Sequence, residues 1–461
     1  MINHALPTDL LGKTLRRGGE YADVYVESRS ITSLVMEDSS IEKIITGHET
    51  GAGIRLLSNG KTSYAFSTDL SPNALFMAAA EVSSMAGNGS PQEIPRLETR
   101  TPSVEFSIRL SPDDVPLEKK IGLIRKAERS ARSYDARIRQ VSVIYRDLLQ
   151  KVQTAASEGF FAEDERVYIS FVVQVIASQG RLVQTGYEAI GGFSGFELLD
   201  AEAVEALALK AARRAVSMLT ARKAPADRMP VVISSQAGGT MIHEAIGHGL
   251  EADLAQQGLS VFSGMLGEKV ASELITVIDD ATLPGKRGSF RFDDEGTPSQ
   301  RTVLVEQGIL KSYMYDKLTA MKEGKPSTGN GRRESYQNRP IPRMTNTFIA
   351  PGMHNPEEIM RSIDQGLFVV KMGGGQVNTV TGDFVFDVQE GYLIRNGQKS
   401  DLVRGATLAG NGPEILKSID MVGSDLGFSI GTCGKDAQGI PVTDAMPTVR
   451  IPEIVVGGSH E

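Results

Sequence analysis

The chain has 461 residues, 23% of them charged and 40% hydrophobic, so it is long enough for two or three globular domains. Its 49 basic and 57 acidic residues give a net charge of −8, which argues against a nucleic-acid or anionic-membrane surface. The single cysteine excludes an intrachain disulfide, and neither a secretory h-region nor a run of about 18 apolar residues occurs. A cytoplasmic location is therefore expected.

The first half of the chain contains one order of predicted elements twice. An amphipathic helix over 10–17 precedes the strands YADVYVESRS and SSIEKIITG, the hairpin GIRLLSNGKTSYAF and a helix over 72–85. A helix over 117–132 precedes the strands IRQVSVIYRD and LQKVQTAASEG, the hairpin ISFVVQVIASQGRLVQTGYEA and a helix over 200–219. Both hairpins turn at a glycine, in SNGK and in SQGR. We predict a duplicated α+β domain over 1–225, with repeats of about 1–110 and 111–225.

The second half has a different texture. The charged, proline-containing segment ARKAPADRMP, residues 221–230, predicts the domain boundary. After it come short strands with glycine-rich turns: PVVISS, ELITVIDDAT, RTVLVEQGILKSYMYD, GLFVVKMGGGQVN and GDFVFDVQEGYLIRNGQ. Such short runs leave no room for βαβ crossovers, which predicts a mostly antiparallel, β-rich domain over 226–461. The predicted fold class is α+β.

The segment GGTMIHEAIGHGLEAD places two histidines beside a glutamate. In the common H-E-x-x-H pattern the histidines are four residues apart, so both face one metal while the glutamate acts as a base. Here His243 and His248 are five residues apart, which separates their rings by roughly 140° around a regular α-helix. Two metal ligands therefore require a π-type turn or a helix that unwinds at Gly247. Because only six histidines occur in the chain, this pair beside Glu244 favours a metal site.

A hydrolytic zinc site usually has three protein ligands and one open position. The candidates for the third ligand are Cys433, His354, Glu251 and Asp253. Cys433 lies in IGTCGKDAQG, where glycines permit close approach of the backbone, and no disulfide competes for its thiol. A buried structural cysteine is the alternative interpretation.

Several long motifs resemble the TldD side of the TldD/PmbA family of metallopeptidases: HEAIGHGLEAD, SVFSG, DDEGTPSQ, GILKSYMYDKL, TGNGRRESYQNRPIPRMTN, GGGQV, GATLAGNG and GTCGKDAQGIPV. The resemblance runs through residues 230–460 and more loosely through the first half. It implies that His243, His248 and Cys433 bind one zinc ion per chain, with iron as the alternative metal, and that Glu244 is the general base. It also implies extended or unstructured peptide substrates. A homologous PmbA/TldE-type subunit is the implied partner in a heterodimer, and a homodimer is the alternative.

Two segments are candidates for substrate binding. The segment GRRESYQNRPIPR contains many side chains that can donate hydrogen bonds to a developing oxyanion. The candidate residues are Arg332, Arg333, Tyr336 and Arg343. KMGGGQVNTVTG, residues 371–382, is the candidate for a free strand edge that pairs with a peptide backbone. Its glycines allow close backbone approach and are Gly373, Gly374 and Gly375.

Two other functions compete with a zinc peptidase. One is a non-catalytic peptide-binding scaffold with a structural metal, and the other is a zinc hydrolase of a non-peptide amide. A structural site prefers four protein ligands and has no use for Glu244 beside a ligand. The amide hydrolase would share the metal chemistry and differ in the shape of its pocket. We expect the peptidase.

Overall fold

One seven-stranded sheet dominates the first half of this computed structural model, which describes residue 2 and residues 5–87 and 89–458. Its strands are β1 Tyr21–Glu37, β2 Ser40–Ser58, β3 Lys61–Ser67, β4 Glu98–Thr99, β5 Ile138–Ala156, β6 Phe160–Gln179 and β7 Leu182–Phe193. They lie in the order β3-β2-β1-β5-β6, and both β4 and β7 pair with β6. Every pair is antiparallel except β4 with β6.

Four helices cover one face of this sheet: α1 Ala5–Thr14, α2 Pro72–Ser84, α3 Leu117–Arg132 and α4 Ala201–Met218. The first two share an apolar core with β1 and β2, and the last two share another with β5 and β6. The predicted order of helix, strands, hairpin and helix therefore occurs twice. The observed helices match the predicted ones closely, although α1 begins at Ala5 rather than at residue 10.

Two predicted strand breaks were wrong. SSIEKIITG and the first arm of the following hairpin form one strand, β2, and the two strands predicted before residue 160 form β5. In β2 the glycines serve close packing instead of a turn. A Cβ at Gly51 would lie 2.2 Å from Cε2 of Tyr336, and one at Gly53 would lie 1.9 Å from the hydroxyl of Tyr64. Both strands stay continuous because they pair with β1 over nearly their whole length.

Five strands of the second half close into a barrel: Asp227–Ile233, Gln365–Val377, Asp383–Arg395, Thr407–Asn411 and Val449–Gly457. Short strands extend it: Arg222–Lys223, Gln398–Arg404 and Met421–Val422. A six-stranded sheet contains, in spatial order, Ile309–Leu310, Arg301–Glu306, Val277–Asp280, Asn346–Ile349, Gln438–Met446 and Gly427–Lys435. A small ribbon pairs Gly331–Arg332 with Ile341–Pro342. The α-helices are Thr240–Ile242, Ala252–Gln256, Lys317–Glu323, Pro356–Arg361 and Gly412–Ser418.

The mixed α+β class is confirmed, and the second half is rich in antiparallel pairs. Three parallel pairs were not predicted, among them Asp227–Ile233 with Gln365–Val377. More than a hundred residues connect those two barrel strands, and they contain most strands of the six-stranded sheet. The short strand runs in the sequence therefore did not exclude a crossover connection. The division at residues 225/226 stays a prediction. Within residues 5–87 and 89–458, no helix combines the length and apolar character needed to cross a bilayer.

A buried ion cluster joins the two halves. Arg55 of β2 donates from Nε to Oδ2 of Asp23 at 2.6 Å, and its Nη2 lies 2.7 Å from Oε1 of Glu295 in the second half. All three side chains are at most 1% exposed. Because a buried charge is tolerated only when it is paired, this cluster fixes how the first sheet sits on the second half.

Candidate metal centre

A helical segment over 240–250 follows the barrel strand Asp227–Ile233 and carries both histidines. It starts as an α-turn at Thr240–Ile242, widens to a π-turn at His243–Gly247 and ends as a 3₁₀ turn at His248–Leu250. The N–H of His248 donates to the carbonyl of His243, five residues back. This confirms the π-type turn, one of the two geometries that the five-residue spacing required. The ring centroids of His243 and His248 are 4.9 Å apart.

Gly247 takes part in this turn by packing rather than by unusual backbone geometry. Its φ of −55° and ψ of −57° are ordinary right-handed helical values. A Cβ at this position would lie 2.2 Å from the sulfur of Met344, which is fully buried. The missing side chain therefore lets Met344 pack against the wide turn.

Cys433 reaches the histidines from the six-stranded sheet. It lies in the strand Gly427–Lys435, and its Sγ is 3.6 Å from Nε2 of His248. One ligand atom from each of His243, His248 and Cys433 lies within 4.8 Å of the other two. Two imidazole nitrogens and a sulfur this close could hold a metal ion.

Each imidazole is oriented by a buried carboxylate. Nδ1 of His243 lies 2.8 Å from Oδ1 of Asp444, and Nδ1 of His248 lies 2.9 Å from Oε2 of Glu251. Because a carboxylate accepts only, Nδ1 of each ring carries the proton and donates it. Nε2 of both rings is then the nitrogen available to a metal.

The protonation of the three side chains is coupled. Burial opposes the charge on both imidazoles, but Asp444 raises the pKa of His243 well above its ordinary value, and Glu251 raises the pKa of His248 to about 10. Burial also works against a Cys433 thiolate, yet the two imidazoles outweigh it and lower the pKa of that thiol to about 6. The cluster thus favours a thiolate beside positive charge, and a metal cation can take the place of the displaced protons.

Glu251 is itself held by cations. Nζ of Lys435 lies 3.2 Å from Oε2 of Glu251 and 2.6 Å from Oδ1 of Asp253. Nε of Arg343 lies 4.0 Å from the other oxygen of Glu251. Burial raises the pKa of Glu251, but Lys435 and His248 outweigh burial and lower it to about 2. The carboxylate behind His248 is therefore ionised.

Glu244 faces a cavity of about 370 Å³ that His243 also lines. The side chain is partly exposed, and no described residue forms a hydrogen bond or an ion pair with it. Tyr187 of β7, Lys371 and Gln389 contribute to the wall. A carboxylate without a protein partner, next to a candidate metal ligand and open to the cavity, is free to hold a water molecule.

The other candidates for the third ligand lie elsewhere. Nδ1 of His354 is 3.1 Å from the carbonyl of Val422, away from the cluster. Asp253 is engaged by Lys435, and Glu251 supports His248 from behind. Two other histidines, His4 and His460, lie outside the described residues. Among the described residues, His243, His248 and Cys433 form the one group of three such side chains close enough to share a metal.

The four predicted oxyanion donors lie outside the wall of the Glu244 cavity and are buried in structural contacts. Arg332 donates to the carbonyls of Met344 and Pro441. Arg343 donates to the carbonyl of Cys433 at 2.6 Å, and so supports the strand behind the thiol.

Arg333 and Tyr336 contact the first half of the chain. The Arg333 guanidinium lies 4.2 Å from the centroid of the Tyr25 ring. The backbone N–H of Tyr336 donates to Glu27 at 2.8 Å. Two of the four predicted donors, Arg333 and Tyr336, therefore lie at the junction between the halves.

The glycine segment does reach the cavity. Gly373 and Gly374 line it together with His243 and Glu244. Gly375 packs beneath the ring of Phe386, where a Cβ would lie 1.8 Å from Cδ1. On one side, the strand Gln365–Val377 pairs with Asp227–Ile233 only over residues 367–369. Among the described strands, none pairs with that edge beyond residue 369, so a free edge runs beside the cavity.

Asp444 was missed by the sequence reasoning. It lies on the strand Gln438–Met446, which pairs with the cysteine strand so that Ser429 faces Asp444 and Cys433 faces Ile440. The available signal was the hairpin in GTCGKDAQGIPVTDAM, which places a carboxylate on the strand next to the cysteine. An acidic residue on a strand next to a candidate ligand is itself a candidate partner for a metal-binding imidazole.

Comparison with known proteins covers almost the whole chain. Models of the PmbA/TldA metallopeptidase domain 1, central domain and C-terminal domain match residues 22–86, 110–219 and 226–458. A Haemophilus influenzae protein named metalloprotease TldD homolog is 37% identical over 96% of this chain and 94% of its own length. A Saccharolobus solfataricus protein named zinc metalloprotease TldD homolog is 28% identical over 77% of this chain and 80% of its own.

Solved structures share the fold. A Thermotoga maritima protein described as a proposed modulator of DNA gyrase superposes with a TM-score of 0.79 at 22% identity, over 95% of this chain and 96% of its own. TldE from Thermococcus kodakarensis superposes with a TM-score of 0.76 at 20% identity, over 98% of this chain and 99% of its own. At these identities the similarity concerns the fold alone.

Gly247→Ala should destabilise the protein, because the new methyl group would overlap the sulfur of Met344. Overpacking of this kind costs about 1–3 kcal/mol. Urea unfolding would show a lower midpoint for Gly247→Ala. Met344→Ala should reduce the free energy of unfolding less in the Gly247→Ala background than in the parent, because it removes the overlapping sulfur. Gly122→Ala is the matched control, because it lies in α3 with nothing within 4 Å of its added carbon. An unchanged midpoint in Gly247→Ala would contradict the packing role.

Proposed function

This chain belongs to the PmbA/TldD family of metallopeptidases, and from that premise we propose that it is a zinc-dependent peptidase with a His243/His248/Cys433 metal site and Glu244 as general base. The observation that carries the proposal is the unpartnered Glu244 carboxylate beside the three clustered ligands. A structural metal site is closed by four protein ligands and contains no water for such a carboxylate to deprotonate.

The donor set fits zinc. Zinc favours nitrogen and thiolate ligands, and its hydrolytic sites combine three protein ligands with an open position. Here two Nε2 atoms and one Sγ provide three ligands, and the cavity beside them leaves room for a fourth group. The zinc in the name of the Saccharolobus relative agrees with this choice.

In the proposed reaction Glu244 transfers the proton, and Asp444 and Glu251 hold the histidines in position. When bound, zinc acts as a Lewis acid that polarises the peptide carbonyl and makes a water molecule more acidic. Glu244 takes the proton of the attacking water and passes it to the nitrogen of the leaving amine. Asp444 and Glu251 hold the Nδ1 proton of each histidine and so keep both rings in position.

We also propose that substrates are extended or unstructured peptides bound by strand addition. The free edge of Gln365–Val377 passes Gly373 and Gly374 at the cavity, where backbone groups can pair with a peptide. Backbone pairing accepts many sequences, whereas a folded protein cannot present a free strand. A PmbA/TldE-type subunit is the proposed partner, and the shared fold with TldE supports it.

Glu244→Gln should retain the metal and lose activity. An amide cannot accept the proton from water, so kcat should fall by about 10²–10⁴. Metal analysis and peptide hydrolysis by the same preparation test both halves of this expectation, and Glu273→Gln, an exposed position away from the cavity, is the control. Turnover close to that of the parent would rule out Glu244 as the base.

Cys433→Ser should lose most of the bound zinc, because a neutral hydroxyl is a far poorer ligand than a thiolate. The measurement is zinc content after dialysis against a competing chelator, with Ser84→Ala at an exposed position of α2 as control. If the serine variant holds stoichiometric zinc as tightly as the parent, Cys433 is a core residue. Glu251 and His354 should then be tested as ligands.

Proline substitution should block cleavage of a peptide near its scissile bond, because proline removes a backbone donor from the ladder. Alanine substitution at the same positions should have much less effect. A proline scan and an alanine scan of one cleaved peptide make the comparison. Equal tolerance of both, or efficient cleavage inside a stably folded domain, would exclude strand addition.

A further inference from the structure

A second cavity, of about 220 Å³, lies between the first-half sheet and the hairpin that carries Cys433. Its wall is unusually rich in guanidinium groups, which belong to Arg29, Arg146, Arg166, Arg287, Arg332 and Arg333. The acidic residues in the same wall are Asp147, Asp294 and Glu334. Positive charge therefore exceeds negative charge in this cavity.

Half of these arginines have carboxylate partners. Arg29 pairs with Glu49 at 2.5 Å, and Arg166 pairs with Asp294 at 2.7 Å. Nη2 of Arg333 lies 3.6 Å from Asp23. Asp147 does not neutralise the cavity, because it is engaged by Nζ of Lys120 at 2.6 Å.

The other three arginines, Arg146, Arg287 and Arg332, form no salt bridge with any residue in the ranges 5–87 and 89–458. Arg332 is 4% exposed and donates only to two backbone carbonyls. Arg287 is partly buried and donates from Nε to the carbonyl of Gly431 at 3.3 Å. Arg146 is exposed and has no hydrogen-bond partner among the described residues.

Burial without a counter-ion is unfavourable for a guanidinium. It lowers the pKa of Arg287 and lowers the pKa of Arg332 to about 10. An anion in the cavity would relieve this cost. Planar guanidinium groups bind carboxylates and phosphates through paired hydrogen bonds, and the carboxylate is the one of these two anions that an unmodified peptide carries.

The arginine cavity adjoins the Glu244 cavity. Thr432 lines both, and the Gly431 carbonyl that Arg287 contacts belongs to the wall of the Glu244 cavity. Tyr187 lines the Glu244 cavity. Burial raises the pKa of Tyr187, and the positive charges of Arg287 and Arg146 are close enough to oppose that rise. Thr432 is the residue directly before Cys433, so only a short length of chain separates the two cavities.

We propose that this cavity is a carboxylate-binding subsite that receives a charged group of the peptide substrate, an inference that rests on the peptidase function proposed above. The carboxylate belongs either to the C-terminus of the peptide or to an Asp or Glu side chain. An extended peptide can continue from the Glu244 cavity past Thr432 into this adjoining cavity, so the charged group lies at a position separate from the cleaved bond. The subsite gives a backbone-binding enzyme a charge preference at one position.

The test measures binding separately from cleavage. The full-length, zinc-loaded Glu244→Gln variant is titrated with three fluorescent peptides of one sequence. The first has a free C-terminal carboxylate, the second is amidated and carries a glutamate at one scanned position, and the third is amidated with glutamine there. One carboxylate-bearing peptide should bind about tenfold or more tightly than the third, as expected for charge-assisted hydrogen bonds. Whether it is the first or the second identifies the source of the carboxylate.

Two variants then locate the effect. Adding Arg146→Gln or Arg287→Gln should bring the ratio of affinities towards one, and Arg146 is exposed enough to be replaced without loss of folding. Arg139→Gln, on the same strand but contacting Ser178, should keep the ratio. Equal binding of all three peptides, or a preference that survives both variants, would overturn the subsite. The binding preference could depend on these arginines while the parent protein cleaves no peptide. That result would overturn the peptidase function and leave the carboxylate subsite standing.

Discussion

The hydrogen bond from the His248 N–H to the His243 carbonyl closes a helical turn of five residues, and the geometry of the candidate metal centre depends on it. In a regular α-helix the second ring would point roughly 140° away from the first. The wider turn puts both rings on the same side while Glu244, the next residue along, still faces the cavity. A π-turn is intrinsically unfavourable, so packing must hold it. Met344 does so by occupying the space that a side chain at position 247 would fill.

One β-hairpin completes the arrangement. Its first strand supplies the Cys433 thiol, and its second strand supplies the Asp444 carboxylate that orients His243. Lys435, at the end of the first strand, holds the Glu251 carboxylate that orients His248. A displacement of this hairpin would therefore disturb Cys433 directly, and would disturb His243 and His248 through their carboxylate partners. A thiolate ligand would make a bound metal a weaker Lewis acid than three imidazoles would, and this shared support would then serve the proposed peptidase by keeping the ligands in position.

Local signals in the sequence were sufficient for some features and insufficient for others. The helix over 117–132 was predicted with its observed ends, and the five-residue histidine spacing narrowed the site to two geometries, one of which is the observed π-turn. Glycines were harder to interpret. A break was predicted between SSIEKIITG and the hairpin that follows it, but Gly51 and Gly53 lie within β2 and leave room for the rings of Tyr336 and Tyr64.

Long-range contacts explain the remaining differences. Arg343 was predicted as a substrate-facing donor, yet it donates to the backbone carbonyls of Gln438 and Cys433, 95 and 90 residues away, which no local pattern reveals. Asp444 was missed for a similar reason, because its importance follows from strand register across the hairpin.

The buried contact of Arg55 with Asp23 and Glu295 makes the two halves of the chain depend on each other. A gene fission or recombination event near residues 225/226 would leave Glu295 without its guanidinium in one product and Arg55 with half its counter-charge in the other. Separating the two halves would therefore leave a buried charge without its full complement of partners in each product, whatever residues occupy the candidate metal centre.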